Sequence, residues 1–150
     1  MKLKAIAAIL LFSLTATSTQ AETKTPDLAK LVEQYFTAFN KHDVAAIMNM
    51  YATDATMEHP ESKTPAKGQA AIHKHYEEMF AMIPDVKDHV KTTIIQGNKA
   101  AIEFTSRGTL PGEKPRAKGK SFDLPIAAIV EFKDGKIVRD ATYYDTAATK

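Results

Sequence analysis

At Val86 the spacing of apolar side chains changes from that of helices to that of strands, and this switch constrains the fold more than any other feature of the chain. Upstream, Leu28, Leu31, Val32, Tyr35, Phe36 and Phe39 recur at helical intervals and form one stripe, with Thr25 expected as the cap and Pro26 in the first turn. A shorter helix is expected from Asp43, whose carboxylate caps a second stripe of Val44, Ile47, Met48 and Tyr51; Asn40 to His42 is the bend between the two. Residues 55–59 read as extended and stop at Pro60, and Glu61 to Gly68 is a polar loop. A third helix carries Ile72, Tyr76, Met79, Phe80 and Ile83 and ends at Pro84. From Val86 on, β-branched residues alternate with polar ones, and Gly97-Asn98 and Asp134-Gly135 supply the positive-φ residues that two-residue hairpin turns require. Helices first and an antiparallel sheet afterwards give an α+β fold, with the helices covering one face of a curved sheet.

The first residues read as a secretory signal. Lys2 and Lys4 precede an apolar run from Ala5 to Leu14 and a small-residue stretch ending at Ala21, after which cleavage is expected. That run is shorter than the roughly 20 residues a membrane-spanning helix needs, so residues 22–150 are expected to be a soluble domain, periplasmic or secreted. Without Lys2 and Lys4, 18 basic side chains balance 18 acidic ones. A neutral balance offers no electrostatic footprint for nucleic acid, and the basic stretch Lys114 to Lys120, interrupted by Pro115 and Gly119, reads as a solvated loop. Cysteine is absent, which excludes disulfides, thiol nucleophiles and cysteine-ligated zinc.

The second hairpin leads to a candidate site. If Asp134-Gly135 is the turn, Phe132 faces Ile137, Val130 faces Arg139, Ala128 faces Ala141, Ile126 faces Tyr143 and Leu124 faces Asp145. Asp145 then projects on the apolar face beside leucine and tyrosine, where burial disfavours its charged form and suits it to acid/base work. Tyr143 shares that face and is the first candidate hydrogen-bond donor; Tyr144 points the other way and could contact a ligand only if the strand bulges. The alternative is that Asp145 is an ordinary solvated strand-end carboxylate.

The stripe ending in Asn40-Lys41-His42-Asp43, the Met57-Glu58-His59-Pro60 segment and the ending Asp134-Gly135-Lys136-Ile137-Val138 with Tyr143-Tyr144-Asp145 together resemble the SnoaL-like family, relatives of ketosteroid isomerase on the nuclear-transport-factor-two fold. The resemblance covers nearly all of residues 22–150. It implies a cone of three helices on a strongly curved, mainly antiparallel sheet, enclosing a small-molecule pocket. It also implies an acid/base role for the aspartate at Tyr144-Asp145, a small apolar or polyketide- or steroid-like ligand, and a homodimer.

Other residues carry two readings each. His59 is either a pocket-rim group or a loop-edge histidine. Arg107, set opposite Asp88 by the Gly97-Asn98 turn, either forms a surface ion pair or orients a ligand carbonyl. Tyr35, Phe39 and Met79 are core packing, pocket wall or both. His73 and His75 are two apart on a helix and so point to different faces, which argues against a shared metal. No phosphate loop or dinucleotide fingerprint occurs, and no cofactor is called for. Two functions therefore stand open: a cofactor-independent enzyme moving a proton next to a carbonyl, as in cyclisation, isomerisation or related lyase and hydrolase chemistry, or a binding module that uses the same cone without reaction.

Overall fold

The computed structural model describes residues 27–112 and 119–149. The signal segment, Thr25, Pro26 and most of the basic loop lie outside the described residues. Helix α1 spans Leu28–Asn40 and is capped by Asp27, whose carboxylate accepts the Lys30 N–H at 3.2 Å. Its stripe buries Val32, Phe36 and Phe39, and the Phe36 ring meets Phe104 of the sheet edge-on at a centroid distance of 5.1 Å. Helix α2, Val44–Met48, starts behind Asp43 as the capping pattern predicts, with the carboxylate accepting the Ala46 N–H at 2.9 Å. It ends early. Tyr51, expected on its stripe, instead opens strand β1 (Tyr51–Glu58), because the Met50 carbonyl accepts the Ile137 N–H at 2.7 Å and draws the chain into the sheet. A two-residue strand β2 (Ala66–Lys67) leads into α3 (Gly68–Met82), which buries Ile72, Tyr76 and Phe80 and stops short of Pro84.

Strands β3 (Lys87–Gln96), β4 (Lys99–Leu110), β5 (Lys120–Lys133) and β6 (Lys136–Tyr143) form an antiparallel meander. Both turns adopt the conformation their residues favour, with positive φ at Gly97, Asp134 and Gly135. Strand β1 adds to β6 in parallel, giving a six-stranded sheet of order β2-β1-β6-β5-β4-β3 with the helices over one face. This is the expected α+β architecture. Among the described residues no helix is long and apolar enough to cross a membrane.

The two hairpins depart from simple pairing by one residue each. In β3–β4 the register runs Val90↔Phe104 and then Thr92↔Glu103, so Lys91 is extra and Asp88 stands opposite Ser106, not Arg107. In β5–β6 it runs Phe132↔Ile137 and then Glu131↔Arg139, so Val138 is extra. A bulge turns every later side chain of its strand to the other face. Val130 therefore faces Asp140 where Arg139 was expected, and Tyr143 faces Ala127 where Ile126 was expected. Arg139 turns outward to Glu58 at 2.8 Å and Glu131 at 3.3 Å. The bulge resolves a conflict in the simple register, which would have set a guanidinium on the apolar face.

Candidate functional site

The side chain that the β6 bulge turns inward is Asp140, only 5% exposed. Three tyrosines from three elements converge on it. Tyr51 of β1 donates its hydroxyl to Asp140 Oδ2 at 2.6 Å, Tyr76 of α3 lies 3.0 Å from the Tyr51 oxygen, and Tyr35 of α1 lies 2.6 Å from that of Tyr76. Helical spacing places Tyr35 and Tyr76 on the inward stripes of α1 and α3, and Tyr51 is inward as the first residue of β1, so the chain of hydroxyls is a product of how the three elements pack. Asp140 Oδ1 has no hydrogen-bond partner among the described residues. Burial pushes the Asp140 carboxyl up to about 6, against the opposing pull of the Tyr51 hydroxyl and the Arg139 charge. Burial likewise raises all three phenols well above their ordinary value, and the neighbouring Asp140 charge adds to this.

A small cavity of about 10 Å³ lies against this chain, lined by Val32 and Tyr35 of α1 and by Ile102, Val130, Phe132, Ile137 and Asp140 of the sheet. It is the size of one water molecule. Its walls are apolar apart from Tyr35 and Asp140.

A second acid, Asp88, is 6% exposed, and its Oδ1 likewise has no partner among the described residues. Burial raises its carboxyl to about 7, partly offset by the Ser106 hydroxyl across the hairpin. Its backbone is clamped by Asn40, which donates Nδ2–H to the Asp88 carbonyl and accepts the Asp88 N–H, both at 2.8 Å. His42 donates Nε2–H to the Val86 carbonyl at 2.9 Å. The bend at Asn40 to Asp43 thus splices α1 to the start of β3 and caps α2.

The residues expected from sequence fall in several places. Asp145 lies beyond the end of β6 on the surface, where its Oδ1 accepts the Ala147 N–H at 2.9 Å and caps the 3-10 turn Thr146–Thr149; the expectation that it faces the interior is corrected. Tyr143 is 53% exposed on the outer face, because Val138 shifts the register. Tyr144 is half-buried, its phenol raised by burial and by Glu61. His59 is half-buried with its ring 4.8 Å from that of His75, which in turn meets the Tyr76 ring edge-on at 5.8 Å. Arg107 is exposed and pairs with Asp123 at 2.8 Å, which corrects the proposed Asp88 partner and sides with a surface ion pair. Phe39 is core, edge-on to Phe80 and Tyr76, and Met79 packs partly buried against the same core. Tyr35 alone of the expected group joins the buried polar site. Sequence reasoning missed Asp140 entirely. It read Asp88 as an ion-pair partner and Tyr51 and Tyr76 as packing. Among the described residues no three His, Asp or Glu side chains are grouped so as to hold a metal ion.

The fold is shared with solved proteins. A protein with a ketosteroid isomerase-like fold from Catenulispora acidiphila, in complex with trimethylamine, is 21% identical, with 83% of this chain and 90% of that chain covered and a TM-score of 0.70. A candidate SnoaL-like polyketide cyclase from Shewanella denitrificans is 16% identical, covering 83% and 95% with a TM-score of 0.73. IdmH, a candidate polyketide cyclase from Streptomyces antibioticus, is 20% identical, covering 82% and 95% with a TM-score of 0.71. At such identities the likeness is one of fold. The model of the SnoaL-like domain matches residues 32–140, from the inward stripe of α1 to the buried aspartate of β6, and the chain therefore belongs to the SnoaL-like domain family.

Proposed function

We propose that this protein binds a small, mostly apolar molecule in the cone and moves a proton on it with Asp140, without a cofactor. The observation that carries this reading is the carboxylate itself. It is buried, one oxygen is held by Tyr51 and the other is unpartnered among the described residues, and it lines a cavity whose remaining walls are apolar apart from Tyr35. A carboxyl whose proton affinity lies near working pH can both take and return a proton. The tyrosine chain supports the role, because it adjusts to either charge state of Asp140 by reversing the direction of its hydroxyls. With the acid ionised, the hydroxyls point toward it; with the acid neutral, they can point away. The structural likeness to candidate polyketide cyclases supports proton transfer next to a carbonyl as the reaction class.

The test is solvent-deuterium exchange into the carbon adjacent to the carbonyl across a panel of small ketones. The parent protein is expected to accelerate exchange for at least one ketone, and Asp140→Asn to abolish it while retaining the folded NMR spectrum. Equal exchange by the two proteins would remove Asp140 from the chemistry.

A non-catalytic binding module remains the second reading, favoured by the cavity of about 10 Å³, which a ketone enters only if α1 side chains move. Export belongs to the same proposal and is supported by the charged and apolar pattern of residues 1–21. N-terminal sequencing of protein recovered from outside the cytoplasm is expected to begin at Glu22.

A further inference from the structure

The three tyrosines carry one hydroxyl proton each, and the contacts dictate where each goes when Asp140 is ionised. Tyr51 gives its proton to Asp140 Oδ2. The contact between Tyr51 and Tyr76 must then use the proton of Tyr76, and the contact between Tyr76 and Tyr35 must use that of Tyr35. Every hydroxyl proton is consumed within the chain. What remains for the cavity is Asp140 Oδ1, which has no partner among the described residues, and the lone pairs of Tyr35. The other walls, Val32, Ile102, Val130, Phe132 and Ile137, offer no polar side-chain atom. Among the described residues no lysine or arginine is buried, so no buried cation compensates the carboxylate, and Arg139 is committed outward to Glu58 and Glu131. A buried charge without a partner is costly. A space that presents only acceptors and a negative charge selects an occupant that brings donors and a positive charge.

We infer that the cavity beside Asp140 receives the primary ammonium head of a small alkylamine, its nitrogen donating to Asp140 Oδ1 and its alkyl part entering between α1 and the sheet as α1 side chains move aside. This inference rests on the reading of the cone as a ligand site and names the ligand class. Size agrees with sign: about 10 Å³ admits a group the size of water, which an –NH₃⁺ head is and a quaternary ammonium or a carboxylate is not. An alcohol of the same length matches the size but brings one donor and no charge.

The experiment is an NMR and calorimetric titration of the full-length protein at pH 8 and constant ionic strength with n-butylammonium, n-butanol, n-butyrate and tetramethylammonium. Butylammonium is expected to bind at least tenfold more tightly than butanol and to shift the signals of Tyr35 and Asp140, with no binding of butyrate or tetramethylammonium. In Asp140→Asn the preference for butylammonium over butanol is expected to vanish. The ligand series on the parent protein decides the matter even if that variant fails to fold. Equal binding of butanol, any binding of butyrate, or no binding of butylammonium overturns the inference, as does an undiminished preference in a folded Asp140→Asn. Ammonium selectivity without ketone exchange would remove the acid/base reading and leave this one. Exchange without selectivity would do the reverse.

Discussion

The buried acid should leave a signature in how stability varies with pH. In the folded chain the Asp140 carboxyl titrates near 6, against an ordinary value of 3.8. Between those two values the native state holds a proton that the unfolded chain has released, so this residue makes the protein less stable as pH rises through the window. The difference corresponds to about 3 kcal/mol lost between pH 4 and pH 7, or roughly 10 °C in Tm for a domain of this size. Asp88, titrating near 7, contributes a loss of the same sign that extends somewhat higher. Asp85 and Glu131 are pulled below their ordinary values, by Thr109 and Lys99 respectively; their contributions have the opposite sign and cancel when two variants are compared. Asp140→Asn removes the titration and keeps the shape. Its amide presents a new donor to the cavity at a pH-independent cost of about 1–3 kcal/mol, so the informative quantity is the slope and not the level. Urea unfolding at intervals from pH 4 to pH 8 is expected to show the variant losing about 3 kcal/mol less than the parent across the window. Parallel curves for the two proteins would refute the claim that burial raises the proton affinity of this carboxyl.

Two further outcomes follow from named contacts. Tyr51→Phe deletes the hydroxyl that favours the charged form of Asp140, a contact worth about 1.5–3 kcal/mol, so the carboxyl should titrate roughly one to two units higher; carbon-detected NMR of the side chain would read this, and an unmoved midpoint would count against the contact. Arg107→Ala removes an exposed ion pair with Asp123 and should change stability by less than about 1 kcal/mol, so a large loss in a thermal melt would show that Arg107 has a role beyond that pair.

The helices and the turns were legible because each depends on neighbours in sequence. The stripe on α1, the Asp43 cap and the positive φ of Asp134 and Gly135 all follow from local chemistry. The cap on α1 shows the limit of such reading, since Asp27 and Thr25 both have suitable side chains and the structure uses Asp27. The two bulges were not legible. An extra residue at Lys91 or Val138 has no turn-forming side chain to announce it, and its effect is to trade which of two charged neighbours goes inside. One signal was available: the unbulged register set Arg139 opposite Val130 on the core face, a placement that burial opposes strongly. Asking which shift would export that arginine leads to Asp140. The tyrosine chain was half visible, since Tyr35, Tyr51 and Tyr76 all read as inward-facing. That their hydroxyls would meet depends on the parallel docking of β1 and on the angle of α3, which no local pattern encodes.

That docking has a consequence for the order in which the protein can be built. In the meander β3 joins β4 and β5 joins β6 through two-residue turns, whereas β1 reaches β6 across a separation that spans most of the domain; the bond from Tyr51 to Asp140 links residues 89 positions apart. Contacts over so long a loop are slow to form because the chain gives up much freedom before they return any energy. Until that seam zips shut, the acid on β6 lacks its tyrosine and remains in water with the affinity for protons of any other aspartate. The raised proton affinity of this side chain therefore depends on contacts between distant parts of the chain, and a molecule that opens at the seam returns Asp140 to water while β3 to β6 keep their own pairings.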